Sequence, residues 1–170
     1  MSLLYQGRCW KFGDDVSCDG DIVSLELAFA RETRPGVLRE ALFAHCDPGF
    51  SSKVNDGDLI VAGKRFGTGH AHPQAAYALS AAKVGVIAAS IPRGHFRNLV
   101  MAGVPFLTCA SQIVASCESG DMLAVDFERG TVHNKTRSTS ASIDPLPDVL
   151  LETIRIGGWK EAFRRRLQNG

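Results

Sequence analysis

The sequence has no long hydrophobic run and almost no net charge. No window approaches the roughly 18 apolar residues of a membrane-spanning helix, and residues 1–15 lack the apolar core of a signal peptide. Lysine and arginine number 19 against 18 acidic residues, and the one basic run, residues 164–166, fits the end of a helix. We therefore expect a cytoplasmic protein that binds neither membranes nor nucleic acid.

The sequence also lacks any paired-cysteine motif. Its five cysteines are irregularly spaced and none forms a C-x-x-C pair. An odd number at such spacings argues against a disulfide framework and against a self-contained metal or iron–sulfur site. We predict buried, reduced thiols and no cofactor bound by this chain. The cysteines are Cys9, Cys18, Cys46, Cys109 and Cys117.

What remains is an ordinary globular composition. Apolar residues make up 45% and charged residues 22% of the 170 residues, values typical of a folded domain with a real core. With no internal repeat and no linker, we predict a single domain over residues 1–170.

The most informative stretch is residues 58–77. A short apolar strand, 59–62, enters a glycine loop that ends in His70-Ala71-His72, and Pro73 then opens an alanine-rich helix. The first N–H groups of a helix lack internal partners and carry the positive end of its dipole. The loop therefore predicts a pocket for an anion, and we expect a carboxylate-rich small molecule there.

The middle of the chain predicts a parallel β-α-β-α-β unit and an α/β fold. The predicted strands are 58–63, 86–89 and 104–107, joined by helices 73–83 and 93–101. Ligands of such sheets gather at the carboxyl ends of the strands. Around this unit we predict a strand at 5–12, helices at 24–35 and 37–45, a hairpin of 122–127 with 131–134, and helices at 148–156 and 159–167. Segment 135–142 is a loop or an edge strand.

Three histidines, His70, His72 and His95, raise a zinc hypothesis. No carboxylate at tight spacing completes such a site, so we favour a role as acid, base or anion contact, or structural capping of the helix. The loop also lacks the Walker and dinucleotide-binding glycine patterns.

Four aspartates crowd residues 14–21 without the spacing of a calcium loop. They either form turns or send a carboxylate to a site.

Several motifs, in order, resemble one family over nearly the whole chain. Residues 13–19 (GDDVSCD) resemble G-D-N-x-x-T-D. Residues 57–69 (GDLIVAGKRFGTG) resemble G-D-I-I-V-A-G-x-N-F-G-C-G, and 86–98 (VIAASIPRGHFRN) resemble V-I-A-x-S-F-A-R-I-F-Y-R-N. These motifs are those of the small subunit of isopropylmalate dehydratase, the counterpart of the C-terminal swivel domain of aconitase.

The resemblance implies a swivelling β/β/α domain that works with a large subunit carrying a [4Fe-4S] cluster. It implies removal and re-addition of water on a hydroxy-di- or tricarboxylic acid, in the biosynthesis of leucine. The small subunit would cover the cluster, contact substrate carboxylates and supply the base. Isolated, the chain could form a homo-oligomer.

The chain departs from the family at the residues that define this chemistry. The family loop reads G-C-G-S-S-R-E-H, with the first serine as base and the arginine on a carboxylate; here those two positions are His70 and His72. The resemblance therefore suggests His70 as the base. The suggested substrate contacts are Gly67, Thr68, Gly69, His72, Arg93, Asp19 and, less closely matched, Arg31.

Three interpretations stay open. The chain could serve a hydro-lyase acting on a different substrate, or an ordinary isopropylmalate dehydratase whose loop has diverged. The second is less favoured, because a histidine does not replace a bidentate arginine. It could also be a non-catalytic swivel domain that acts as a binding or assembly module.

Overall fold

Seven strands form one mixed sheet in the computed structural model, which describes residues 2–168. In chain order they are β1 (Leu4–Lys11), β2 (Leu59–Ala62), β3 (Gly85–Ala88), β4 (Phe106–Thr108), β5 (Met122–Asp126), β6 (Thr131–Asn134) and β7 (Thr139–Ser142). Their order across the sheet is β4-β3-β2-β1-β5-β6-β7. Strands β1 to β4 are parallel, whereas β1 with β5, β5 with β6 and β6 with β7 pair antiparallel.

Helices connect and cover these strands. In chain order they are α1 (Leu25–Phe29), α2 (Pro35–Ala41), α3 (Phe50–Lys53), α4 (Gln74–Ala81), α5 (Arg93–Ala102), α6 (Ser111–Ala115), α7 (Asp148–Ile156) and α8 (Trp159–Gln168). Helices α4 and α5 cross from β2 to β3 and from β3 to β4. The predicted β-α-β-α-β unit and the α/β class are thus confirmed, as is the hairpin of β5 and β6.

The two central strands of the parallel half are completely buried. Every residue of β2 and β3 is buried, as expected for strands covered on both faces. The crossover helices contribute fully buried side chains, such as Leu79 of α4 and Leu99 of α5, to the same core cluster. This packing fixes the strand ends from which the loops at the carboxyl edge of the sheet begin.

The bounds predicted for two helices were wrong. The helix predicted at 24–35 is only α1, because the chain turns at Arg31, which has a φ of 52°. The Glu32 carboxylate then accepts hydrogen bonds from the backbone N–H groups of Thr33 and Arg34, each at 2.8 Å, a local alternative to helical pairing. The helix predicted at 37–45 is α2, which starts at Pro35 and ends before Phe43, where φ is again positive.

Two further elements complete the comparison with the sequence. Helix α3 was not predicted; its single turn starts after Gly49, a residue with positive φ, and buries only Phe50. Segment 135–142, predicted as a loop or an edge strand, contains the edge strand β7.

The loops that follow β1 and β2 continue the parallel pairing beyond the strands. The N–H of Gly67 donates to the carbonyl of Val16 at 2.8 Å, and the N–H of Cys18 donates to the carbonyl of Thr68 at 3.0 Å. Because backbone hydrogen bonds join them, the two loops act as one unit.

A buried histidine lies beneath this unit. The His95 ring is fully buried, with Nδ1 3.2 Å from Cys18 Sγ. Burial lowers the pKa of His95 to about 4, so the ring is neutral at physiological pH. Gly67 lies directly on this ring, with a φ of 84°, and a Cβ atom at this position would overlap the ring. Only glycine satisfies both constraints.

We predict that Gly67→Ala destabilises the chain far more than Gly69→Ala. Gly69 has nearly the same φ, 85°, but a Cβ there would meet no atom within 4 Å. Gly69→Ala should cost only the conformational penalty of about 1–2 kcal/mol, and Gly67→Ala should add roughly 1–3 kcal/mol of overpacking. Urea unfolding of both variants measures the difference. Equal losses in the free energy of unfolding would show that the contact between residue 67 and His95 does not affect stability.

Candidate functional site

Three loops meet at the carboxyl ends of β1, β2 and β3. We call loops 13–23, 63–73 and 89–92 together the sheet-edge site. The third loop is tied to the second through Ser90, whose carbonyl accepts from the N–H of Phe66 at 3.0 Å and whose Oγ accepts from the N–H of Arg65 at 2.9 Å. This is the edge at which open parallel sheets bind ligands.

The two loop histidines lie side by side at the start of α4. Their ring centroids are 6.3 Å apart and the rings are nearly parallel. His70 is exposed, whereas His72 is half-buried. The loop is fixed between them, because the Ala71 carbonyl accepts a hydrogen bond from Asn98 Nδ2 of α5 at 2.8 Å. This hydrogen bond therefore fixes the backbone from which both histidine side chains extend.

Asp19 is brought to His72 from the loop after β1. Asp19 Oδ2 lies 2.6 Å from His72 Nδ1, and the side chain of Asp19 is only 9% exposed against 34% for His72. The other carboxylate oxygen, Oδ1, is buried with no hydrogen-bond partner among the described residues. The sequence predicted both residues as substrate contacts; in the fold they contact each other.

The other three aspartates of this region build turns and loop links. Asp21 accepts from the N–H and the hydroxyl of Ser17, at 2.7 and 2.8 Å, and Asp14 accepts from the N–H of Lys64 at 2.7 Å. Asp15 pairs with Arg65, whose guanidinium lowers the pKa of the Asp15 carboxyl. Of the two alternatives left by the sequence, turn formation describes Asp21. Asp14 and Asp15 instead link two loops, and the carboxylate of Asp19 lies at the site.

The glycine loop has fewer free backbone N–H groups than the sequence suggested. The N–H groups of Gly67 and Thr68 both donate to Val16, so neither amide is available to a ligand. Gly69 is exposed and Thr68 is half-buried. Pro73 is the N-cap of α4 rather than its first residue and provides no side-chain cap.

The two predicted arginines have different neighbours. Arg93 is exposed at the start of α5, and its neighbour Gly94 packs against Ala71. Arg31 and His72 line one concavity of about 500 Å³. The other residues of that concavity are Ala28, Phe29, Thr33, Pro73, Gln74 and Tyr77.

Three residues near the histidines escaped the sequence analysis. The Phe29 ring is exposed at 70% and lies 6.1 Å from the His72 ring, edge to face. Gln74 is buried and donates from Nε2 to the Glu32 carbonyl at 3.3 Å, while its Oε1 lacks a partner within residues 2–168. Asn98 anchors Ala71. Asn98 ends the motif of residues 86–98, but the motif does not show its contact with Ala71, and only tertiary structure brings the three residues to the loop.

The residues that the structure describes do not fit a metal or iron–sulfur group. Within residues 2–168, no three histidine, cysteine or acidic side chains are arranged to hold a metal ion. Burial raises the pKa of Cys9 and of Cys18 to about 12, which opposes the thiolate form that ligates metals. His95, one member of the zinc hypothesis, is a core residue. The part of the chain described here also contains no helix with the length and hydrophobicity needed to cross a membrane.

Known proteins resemble this chain along its length, although no protein-family model matches it. The 3-isopropylmalate dehydratase small subunit of Methanosarcina mazei is 38% identical over 161 residues, which cover 94% of this chain and 96% of that protein. The isopropylmalate/citramalate isomerase small subunit of Methanocaldococcus jannaschii is 32% identical over 168 residues, 98% of each chain.

A solved structure agrees with these relatives. The crystal structure of 3-isopropylmalate dehydratase from Methanocaldococcus jannaschii superposes with a TM-score of 0.86 at 28% identity, over 97% of this chain and 96% of that one. The sequence motifs and the mixed sheet thus agree with relatives that match over nearly the whole chain. The chain belongs to the family of 3-isopropylmalate dehydratase small subunits.

Proposed function

We propose that this chain is the small subunit of a heteromeric hydro-lyase of the isopropylmalate dehydratase type. Its substrate would be a hydroxy-di- or tricarboxylic acid, and the proposed setting is amino-acid biosynthesis, that of leucine by resemblance, in the cytoplasm. The observation that carries the proposal is the sheet-edge site, where His70 and His72 lie side by side. His72 and Arg31 line one concavity beside it, and Arg93 is exposed at the start of α5. Cationic and hydrogen-bonding groups of this kind suit a polycarboxylate.

The partner would be the large subunit of the same enzyme. The family resemblance assigns it a [4Fe-4S] cluster, which supplies the Lewis acid for the substrate hydroxyl. Since no residue set within 2–168 suits a metal, we expect this chain to act on the rest of the substrate. That division leaves binding of the carboxylates and removal of a proton from carbon to the sheet-edge site.

His70 is the proposed base. It occupies the position of the family's serine base, it is exposed, and imidazole accepts a proton readily near neutral pH. The proposed carboxylate contacts are His72, Arg93 and Arg31, with Thr68 and the flanking Gly67 and Gly69 shaping the loop. Asp19 would act on the substrate through His72.

The alternative is a non-catalytic swivel domain that serves as a binding or assembly module. The relatives are named as enzyme subunits, which does not favour it. The loop that contains His70 and His72 would determine whether the substrate is isopropylmalate or another hydroxy acid. One relative bears the name isopropylmalate/citramalate isomerase, so a panel of substituted malates is the appropriate test.

We predict that the chain, mixed with the cluster-loaded large subunit of the same organism, forms a complex that adds and removes water. The substrates are substituted malates and maleates, and ultraviolet absorbance of the unsaturated acid measures turnover. Each subunit alone is the control and should be inactive. A complex without turnover on any of these substrates would support the non-catalytic binding module. Failure to form a complex would show that the large subunit is not the partner of this chain.

We predict that His70→Ala lowers kcat of the reconstituted enzyme by roughly 10²–10⁴-fold, the usual contribution of a general base. KM should change much less, because the proposed carboxylate contacts remain. His45→Ala is the matched control, since His45 is another exposed histidine and lies in the turn after α2. If kcat of His70→Ala equals that of the control, His70 is not the base.

A further inference from the structure

The thiol of Cys18 lies at the centre of a buried group of contacts beneath the sheet-edge site. Its sulfur is 3.2 Å from Nδ1 of His95 and 3.3 Å from the carbonyl oxygen of Gly67. The side chains of Cys18 and His95 are both fully buried. The sulfur therefore connects helix α5, which carries His95, with the glycine loop after β2, while Cys18 itself belongs to the loop after β1.

The protons around this sulfur have two arrangements. If His95 is protonated on Nε2, Nδ1 accepts the S–H of Cys18, and the carbonyl of Gly67 loses this donor. If His95 is protonated on Nδ1, that N–H donates to the sulfur and the S–H donates to the carbonyl of Gly67. The first arrangement makes one hydrogen bond from these groups and the second makes two.

The buried Nε2 atom of His95 favours the second arrangement. It has no hydrogen-bond partner within residues 2–168, so a proton on Nε2 would be a buried donor without an acceptor. Buried groups that lose a hydrogen bond are costly. Burial also lowers the pKa of His95 to about 4 and raises the pKa of Cys18 to about 12, so near neutral pH the ring carries one proton and the thiol keeps its own.

The carbonyl of Gly67 belongs to a peptide unit that the loop after β1 holds at both ends. Cys18 contacts the carbonyl end, and the N–H of Thr68 donates to the carbonyl of Val16 at 3.1 Å. Glycine has no side chain to restrict its backbone, so these two hydrogen bonds fix the orientation of the peptide unit. His70 lies two residues after Thr68, and a rotation of this unit would displace its side chain.

Three residues of this region differ from the family motifs. The motifs have threonine, cysteine and phenylalanine where this chain has Cys18, Thr68 and His95. In the fold the three lie together, because the N–H of Cys18 also donates to the carbonyl of Thr68 at 3.0 Å. A phenylalanine ring has no N–H to donate to position 18. The hydrogen bond from His95 is thus a feature of this chain and not of the motif.

We propose that Cys18 is a positioning residue for His70. Nδ1–H of His95 donates to its sulfur, and its S–H donates to the carbonyl of Gly67. This link holds the peptide unit after Gly67 in the orientation that places His70 in the site. The role of His70 as base rests on the proposed function, whereas the direction of the two hydrogen bonds does not.

The first test measures the position of the ring proton and does not depend on turnover. Nitrogen-15 NMR of the labelled full-length chain distinguishes the two ring nitrogens, and the spectrum of His95→Phe identifies the signals of this ring. At pH 7, wild-type His95 should carry its proton on Nδ1. In Cys18→Ala, which removes the acceptor, the proton should spread over both nitrogens. A proton on Nε2 in the wild type would overturn the proposal.

The second test measures kcat of the reconstituted enzyme at saturating substrate, well below the melting temperature of each variant. Cys18→Ala should lower kcat by roughly tenfold to a hundredfold, because small displacements of a catalytic group have effects of this size. Cys18→Ser keeps a donor and an acceptor and should recover most of that loss. His95→Phe should lower kcat less. Adding it to Cys18→Ala should cause no further loss, since His95 acts through Cys18.

Cys117→Ala is the matched control. It also removes a buried thiol, but the sulfur of Cys117 donates to the carbonyl of Ile113 at the end of α6, at 3.5 Å, outside the three loops of the site. Its kcat should equal that of the wild type. If Cys18→Ala lowers the melting temperature but has the kcat of the control, Cys18 only stabilises the fold and the proposal is overturned. A serine variant no faster than the alanine variant would overturn it as well.

The two tests separate this proposal from the proposed function. A wild-type complex without turnover on any substrate would reject the hydro-lyase function, and with it the role of His70 as base. A proton on Nδ1 of His95 would still support the hydrogen-bonded link through Cys18. An active enzyme with the proton on Nε2 would overturn the link while the function stands.

Discussion

The close approach of Gly67 to the buried ring of His95 is the contact on which the site depends. It lets the loop after β2 lie flat enough to pair with the loop after β1 through Val16. That pairing sets the register between the two loops, and the register brings Asp19 to His72. A fully buried, neutral histidine thus determines the position of an exposed one.

The family pattern and this chain have different side chains at the same loop position. An arginine carries its own charge and binds a carboxylate with two parallel hydrogen bonds. Here the smaller imidazole of His72 occupies that position, and the nearly buried carboxylate of Asp19 contacts its Nδ1. The contact between Oδ2 of Asp19 and Nδ1 of His72 orients the imidazole ring where the substrate is expected.

The sequence predicted the elements whose pattern is strong and local. Strands β2 and β3 are continuous apolar runs bounded by glycine, and the helices between them are long enough to show their period. The turn at Arg31 could not be predicted, since a positive φ at an arginine has no sequence signature. The contact between Asp19 and His72 depends on how two distant loops are aligned, and an aspartate in a turn-rich segment gives no sign of such a partner. His95 looked like a ligand because burial cannot be read from one residue.

A crystal structure of the reconstituted enzyme with a non-reactive hydroxy-acid analogue tests the central claim most directly. It would show whether the sheet-edge site binds substrate through the pair of Asp19 and His72. The account predicts a carboxylate of the analogue within about 3 Å of His72 Nε2, with Nδ1 still on Asp19. An analogue bound at this edge by other groups, with His72 turned away from it or from Asp19, would contradict the account.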